Sequence, residues 1–535
     1  MAFSRAILGT LILGLATATF AQTWPVTRAE KSDYRETSHY EDVVRFLHDL
    51  QAAGGPVSVE MIGRSVKGRD IPLAIASFPP VSSPAEARRL GKPIVYIQAN
   101  IHAGEVEGKE AALIILRRLC QAGPRGLLGK IVLLVTPIYN IDGNEEFAPV
   151  DVNRPEQDGP AMVGVRPNGA GLDLNRDAIK AESPEMSAVL AHVYTTWDPD
   201  VMMDLHTTDG TRHGYELTYA PPENPNTAPG IMKLSRDEII PAIRKRMMSE
   251  DHLPMFDYGN AERRDNQRVW ATFGVEGRYC TNYVGLRNRL SFLSEATTFI
   301  PFKARVSVTY KFVTDILEYV ASHASKVMDA TRGADAQVVS WGMDPSKAPA
   351  LGVRFDLESR GIEPVILEKL MPGEPRPPST SRPAHVENVK MPVFDRFKVT
   401  KTAALPAAYV IPASEAATVA LLQKHGIVVE RLIERCAGEA EQFTASKVTV
   451  AGRAFQGHRL VTLDGSFSAA HISVPAGDYI VRTAQPLGIL AFHILEPESQ
   501  DGAVAWGDMA PPAVGQVFHV FKLMNPPSMT TVRAE

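Results

Sequence analysis

Between residues 93 and 321 the chain alternates short apolar runs with longer segments of helical periodicity, and this constrains the fold more than any other feature. Pro93–Ala99 (PIVYIQA), Ile131–Val135, Val201–Leu205 and Arg289–Leu293 read as strands. Gly108–Leu119, a segment from Ser183 to about Trp197, and Val306–Ala321 read as helices, as does Thr37–Leu50 upstream. Ser183 followed by Pro184 is an N-cap and first-turn pair. Strands that are apolar along their whole length belong inside a sheet covered on both faces. The expected fold class is therefore α/β, a mixed, mostly parallel sheet flanked by helices.

The texture changes after residue 330. Met371–Pro392 is Pro-rich and reads as a connector or extended loop. Beyond it Ala407–Ile411 and Ile427–Leu432 read as strands around a helix at Ser414–Lys424, with Ser414 as N-cap and Gly426 just past the end. From Val448 onward strand runs and turns dominate, which predicts a smaller strand-rich α+β or β domain. The expected division is a signal peptide at 1–21, a catalytic domain at 22–330, a connector with extended segments at 331–400 and an accessory domain at 401–535. The signal peptide rests on a short apolar run, Ala6–Ala18, behind Arg5, with Thr19 and Ala21 at the positions a signal peptidase requires. It implies export, to a periplasmic or extracellular location, and no stable membrane span in the mature chain. A net charge of −5 offers no footprint for nucleic acid. Cys120, Cys280 and Cys436 are too few and too scattered for a disulfide scaffold and read as buried thiols.

Chemistry-bearing residues gather where the strands end. His102 and Glu105 follow the first strand, His206 ends another and Glu295 a third. Ligands of open α/β sheets bind outside the carboxyl ends of the strands. A His-x-x-Glu pair alone is a weak signal, and His493–Glu496 repeats it in a strand-like run where the two side chains would diverge. At the first copy Gly104 permits a tight turn. His206 supplies the third protein ligand that a catalytic zinc site needs. A nucleophile elbow is absent from the sequence, and GPRGLLGK (123–130) lacks phosphate-loop spacing.

Five segments, HAGE (102–105), YNIDG (139–143), GLDLNRD (171–177), DLHTTDG (204–210) and SFLSEA (291–296), occur in the order found in zinc metallocarboxypeptidases of the carboxypeptidase A-like family, which the chain resembles across roughly 93–300. The resemblance implies one zinc ion held by His102, Glu105 and His206, with Glu295 as general base. It implies that Asn175 and Arg176 bind the carboxylate of a peptide substrate. It calls for an Arg at the oxyanion, for which Arg166 is favoured over Arg154, and for a Tyr over the bound terminus, for which Tyr283 is favoured over Tyr279. Asp177 stands where the family commonly has Asn, an acid beside the anion-binding pair. The implied reaction is hydrolysis of C-terminal peptide bonds. Two alternatives remain: a zinc amidohydrolase acting on cell-wall peptides or acylated amino acids, and a non-catalytic peptide-binding protein. The long C-terminal part has no counterpart in the minimal peptidase.

Overall fold

A computed structural model describes residues 23–375, 377–525 and 528–534. The signal-peptide segment lies outside the described residues. The largest sheet has eight strands: β1 (Val57–Arg64), β2 (Asp70–Ala76), β3 (Ile94–Ala99), β4 (Val132–Thr136), β5 (Val201–Thr207), β6 (Leu217–Ala220), β7 (Met255–Asp257) and β8 (Leu290–Ala296). Their order is β1-β2-β4-β3-β5-β8-β6-β7. The centre, β4-β3-β5-β8, is parallel. Antiparallel pairs flank it, β1 with β2, β2 with β4 and β6 with β8. Every residue of β3, β4, β5 and β8 is buried. That is why these segments read as unbroken apolar runs rather than as alternating ones.

Helices Glu107–Ala122 and Phe302–Ser322 pack against each other and over the central strands, and Cys280–Leu286 packs on β5 and β8. The approach of the first helix is close: a Cβ at Gly108 would lie 2.7 Å from Leu205 Cβ. The helix from Pro184 changes to π-helical winding at Leu190 and stops at Asp198, whose φ is 46°. Asp142 of the YNIDG segment is a buried anchor. It accepts hydrogen bonds from Ser65 Oγ, Lys67 N and Arg69 Nη1, tying the β1–β2 hairpin to the loop after β4.

The segment read as a connector is largely ordered secondary structure. Helix Ala324–Met343 covers its start, and Leu351–Glu368 and Val386–Ala403 form a long antiparallel hairpin. Prolines concentrate in the loop between those strands, and their frequency hid the period-2 burial of the flanks. The hairpin pairs with a second one, Asn260–Arg264 and Gln267–Ala271, through Trp270 and Val393. It closes a small core of Tyr215, Phe256, Trp270, Val365, Leu367, Met391 and Val393.

The C-terminal part holds a seven-stranded sheet, including Ala408–Ile411, Cys436–Val450, Val461–Val474 and Tyr479–Arg482. Two local expectations change. The cap of helix Ala416–Lys424 is Glu415 rather than Ser414. His493–Glu496 lies at the end of helix Gly488–Leu495, not in a strand. The run is apolar on all sides because the helix is wholly buried, which removes the periodic signal. Glu496 is engaged by Lys522 Nζ at 2.7 Å and by the Tyr409 hydroxyl at 2.6 Å. All three cysteines are free; Cys120 and Cys280 are buried and Cys436 is half-buried. No described helix is long and apolar enough to cross a membrane.

Candidate active site

The turn after β3 begins at Asn100, which takes the left-handed conformation with φ 64°. Its side-chain amide donates to the Ala103 and Glu105 carbonyls, locking the loop that carries His102 and Glu105. Gly104 therefore has a different task from the one expected of it. A Cβ there would meet Arg154 Cγ at 2.9 Å and the Gly164 carbonyl at 3.0 Å, so it serves close approach. In the parallel pairing of β5 with β8, Glu295 is directly opposite His206. Three strand ends thus deliver His102, Glu105, His206 and Glu295 to one place.

The donor atoms converge. His102 Nδ1 lies 3.0 Å from Glu105 Oε1 and 3.2 Å from His206 Nδ1, and His206 Nδ1 lies 3.0 Å from Glu105 Oε2. His102, Glu105 and His206 form a buried group whose ligating atoms all lie within 4.8 Å of one another. The outer ring nitrogens face carboxylates: His102 Nε2 is hydrogen-bonded to Asp173 Oδ1 at 3.1 Å, and His206 Nε2 lies 3.0 Å from Asp204 Oδ2 without hydrogen-bond geometry. The Asp173 contact fixes the His102 imidazole with Nδ1 inward. Two imidazoles, one carboxylate and two supporting acids suit zinc.

Electrostatics agree with a site built for a cation. Burial opposes the charged form of Glu105, but His102, His206 and Arg154 hold its carboxyl well below the usual range. Burial also opposes the His206 cation, and Asp204 and Glu105 outweigh it, driving that pKa up. For Asp173, hydrogen bonding to His102 together with the charges of Arg166 and Arg176 overcomes burial and keeps the carboxyl ionised. Glu295 differs: burial raises its pKa well above the ordinary value, and Glu105 and Asp209 add to that against the pull of His206 and Arg154.

These groups line an open cavity of about 110 Å³. Asn175 and Arg176 also line it, and Tyr258, Phe273 and Tyr279 make an aromatic wall with successive ring centroids 5.7 and 5.0 Å apart. The Arg176 guanidinium lies over the Tyr279 ring, 4.5 Å from its centroid. Asn175 Oδ1 accepts from the Cys280 amide at 3.0 Å, which leaves its Nδ2 free to donate into the cavity.

The two candidate arginines separate. Arg154 is buried and directs its fork to the Thr207 and Thr208 carbonyls and to Glu105. Arg166 lines the cavity, bound to Asp173 Oδ2 at 2.9 Å and 3.6 Å from Glu105 Oε1. Tyr283 is not at the site. It is fully buried, 2.8 Å from His425 Nδ1, and accepts from Arg287. Its position on helix Cys280–Leu286 turns it toward the C-terminal part, while Tyr279, the residue capping that helix, faces the cavity. Asp177 is also turned away. It accepts from the Glu182 and Ser183 amides and sits 3.5 Å from Lys180 Nζ, so the departure from the family pattern serves helix capping.

Sequence reasoning did not foresee Asp173, Asp204, Tyr258 or Phe273 at the site. Asp204 had a signal: residues i and i+2 of a strand share a face, so DLH places a carboxylate beside its imidazole. Tyr258 follows an edge strand and Phe273 an inner strand of the second sheet, and neither carries a spacing that ties it to Glu295.

A parallel-centred sheet with a His/Glu/His group and a buried glutamate at its strand ends defines an α/β metalloenzyme. Residues 43–240 match the model of the zinc carboxypeptidase family. It is similar to Carboxypeptidase 2 of Trichophyton rubrum, 22% identical over 534 residues, covering 95% of this chain and 91% of that one. Carboxypeptidase 2 of Trichophyton equinum is 22% identical over 484 residues, covering 86% and 81%. Among solved structures, a metallo-carboxypeptidase from Pseudomonas aeruginosa in complex with (2-guanidinoethylmercapto)succinic acid is 23% identical, covering 54% of this chain and 70% of that one, with a TM-score of 0.39.

Proposed function

We propose that this chain removes single residues from the C-termini of peptides, and that it does so after export through the leader read at 1–21. One observation carries the reading: a single cavity is lined both by the His102–Glu105–His206 group with Glu295 and by Asn175 and Arg176. A peptide anchored by its terminal carboxylate would present its last amide bond to Glu295.

Arg176, braced on Tyr279, offers a planar fork to the carboxylate, and Asn175 Nδ2 adds a third donor. His102, Glu105 and His206 would hold a zinc ion, whose positive charge would acidify a water and polarise the scissile carbonyl. Glu295 takes the proton of that water and returns it to the leaving amine. Arg166, held by Asp173 at the cavity wall, stabilises the negative charge that develops on the carbonyl oxygen. Tyr258 and Tyr279 are the aromatic residues placed to cover the bound terminus.

The test pairs metal with substrate. N-acylated dipeptides should be hydrolysed as free acids and not as C-terminal amides. A chelator should abolish turnover, and one equivalent of zinc should restore it. Equal hydrolysis of acid and amide would remove Arg176 and Asn175 from the account, and turnover untouched by chelation would remove the metal group.

A further inference from the structure

Strands Cys436–Val450 and Val461–Val474 of the C-terminal sheet are joined through an excursion whose tip is a tight turn, Phe455-Gln456-Gly457-His458. Phe455 and His458 exchange both backbone hydrogen bonds, at 2.7 and 3.0 Å, around two residues with positive φ, Gln456 at 50° and Gly457 at 82°. Such turns favour Asn, Asp or Gly at both positions. A glutamine in the left-handed region is strained. Here the strained residue reaches a support of the site: Gln456 Oε1 accepts the backbone N–H of Asp173 at 2.9 Å, across 283 residues of sequence. Asp173 holds His102 and Arg166 through its carboxylate and immediately precedes the Leu174–Arg176 turn, whose Asn175 amide it also accepts.

The rest of the tip is fastened to residues near Asn175–Arg176 and Tyr279 in the chain. His458 Nε2 is 2.6 Å from Glu182 Oε1. The Arg278 guanidinium, next to Tyr279 in the chain, lies 5.3 Å from the Phe455 ring and 4.8 Å from the Trp506 ring, and it pairs with Asp501 at 2.8 Å. Both segments that bring Asn175, Arg176 and Tyr279 to the cavity therefore rest on the C-terminal part.

We propose that the Phe455–His458 turn is a positioning element for substrate. Gln456 fixes Asp173 so that Asn175 and Arg176 stand ready for the substrate's terminal carboxylate. The inference rests on the carboxypeptidase reading above, and it gives the C-terminal part a role in that site.

The test uses the full chain with Gln456→Gly and Gln456→Glu. Glycine relieves the left-handed backbone while deleting the side chain, so a turn of purely structural value would gain stability. The account expects Gln456→Gly to melt no lower than wild type and to bind zinc equally. It expects faster amide exchange across 173–178 and a KM for free-acid peptides raised about three- to tenfold, the effect of one hydrogen bond, with kcat little changed. Gln456→Glu keeps an acceptor and should restore the protection of that segment. Unchanged exchange at 173–178 in Gln456→Gly, or unchanged KM, overturns the proposal. If wild type cleaves no peptide, the carboxypeptidase reading falls, and exchange alone decides whether the turn holds Asp173.

Discussion

Glu295→Gln is expected to lower kcat about a thousandfold, within the 10²- to 10⁴-fold range that positioned acid–base groups contribute. The substitution keeps the shape and removes the proton acceptor. Glu295 is buried opposite His206 and is not among the three converging ligand side chains. The variant should therefore bind zinc with wild-type stoichiometry and leave KM within a few fold. Metal analysis beside steady-state kinetics checks both. Loss of metal together with activity would make Glu295 a structural or ligand residue; retention of both would remove it from the chemistry.

Arg176→Ala should act on substrate binding instead. A charge-assisted bidentate contact to a carboxylate is worth roughly 1.5–3 kcal/mol, so KM for free-acid peptides should rise about 10- to 150-fold. Arg176→Lys should recover only part of this, since an ammonium cannot present the planar fork or stack equally on Tyr279. Because Arg176 contacts the Asn175 carbonyl and no member of the metal group, zinc content should stay constant. A KM unchanged in Arg176→Ala would mean that the substrate's carboxylate binds elsewhere, or that the substrate has none.

How far these arguments could be made from sequence depended on locality. His102, Glu105, His206 and Glu295 sit at the ends of three of the most apolar runs in the chain, and a parallel sheet brings such ends together whatever the intervening loops do. Asn175 and Arg176 were readable because they lie within a compact segment. Arg166 is favoured over Arg154 by the resemblance, but spacing does not separate them, because the segment is irregular and both approach Glu105. Burial separates them, and burial is a property of the whole fold. Tyr283 and Tyr279 are four residues apart at one short helix, and the direction of each depends on what packs there. His425, far along the chain, takes Tyr283. The same limit hid Gln456: its partner is 283 residues away, and its only local signal is an unusual residue at a tight turn.

The most direct measurement of the central claim is mass spectrometry of a peptide mixture after incubation with the zinc-loaded chain, using each peptide as free acid and as C-terminal amide. The account predicts ladders that shorten one residue at a time from the C-terminus of the free acids, with the amides intact and with no ladder in Glu295→Gln. Internal cleavage, trimming from the amino end, or zinc-loaded protein that leaves every peptide whole would contradict it.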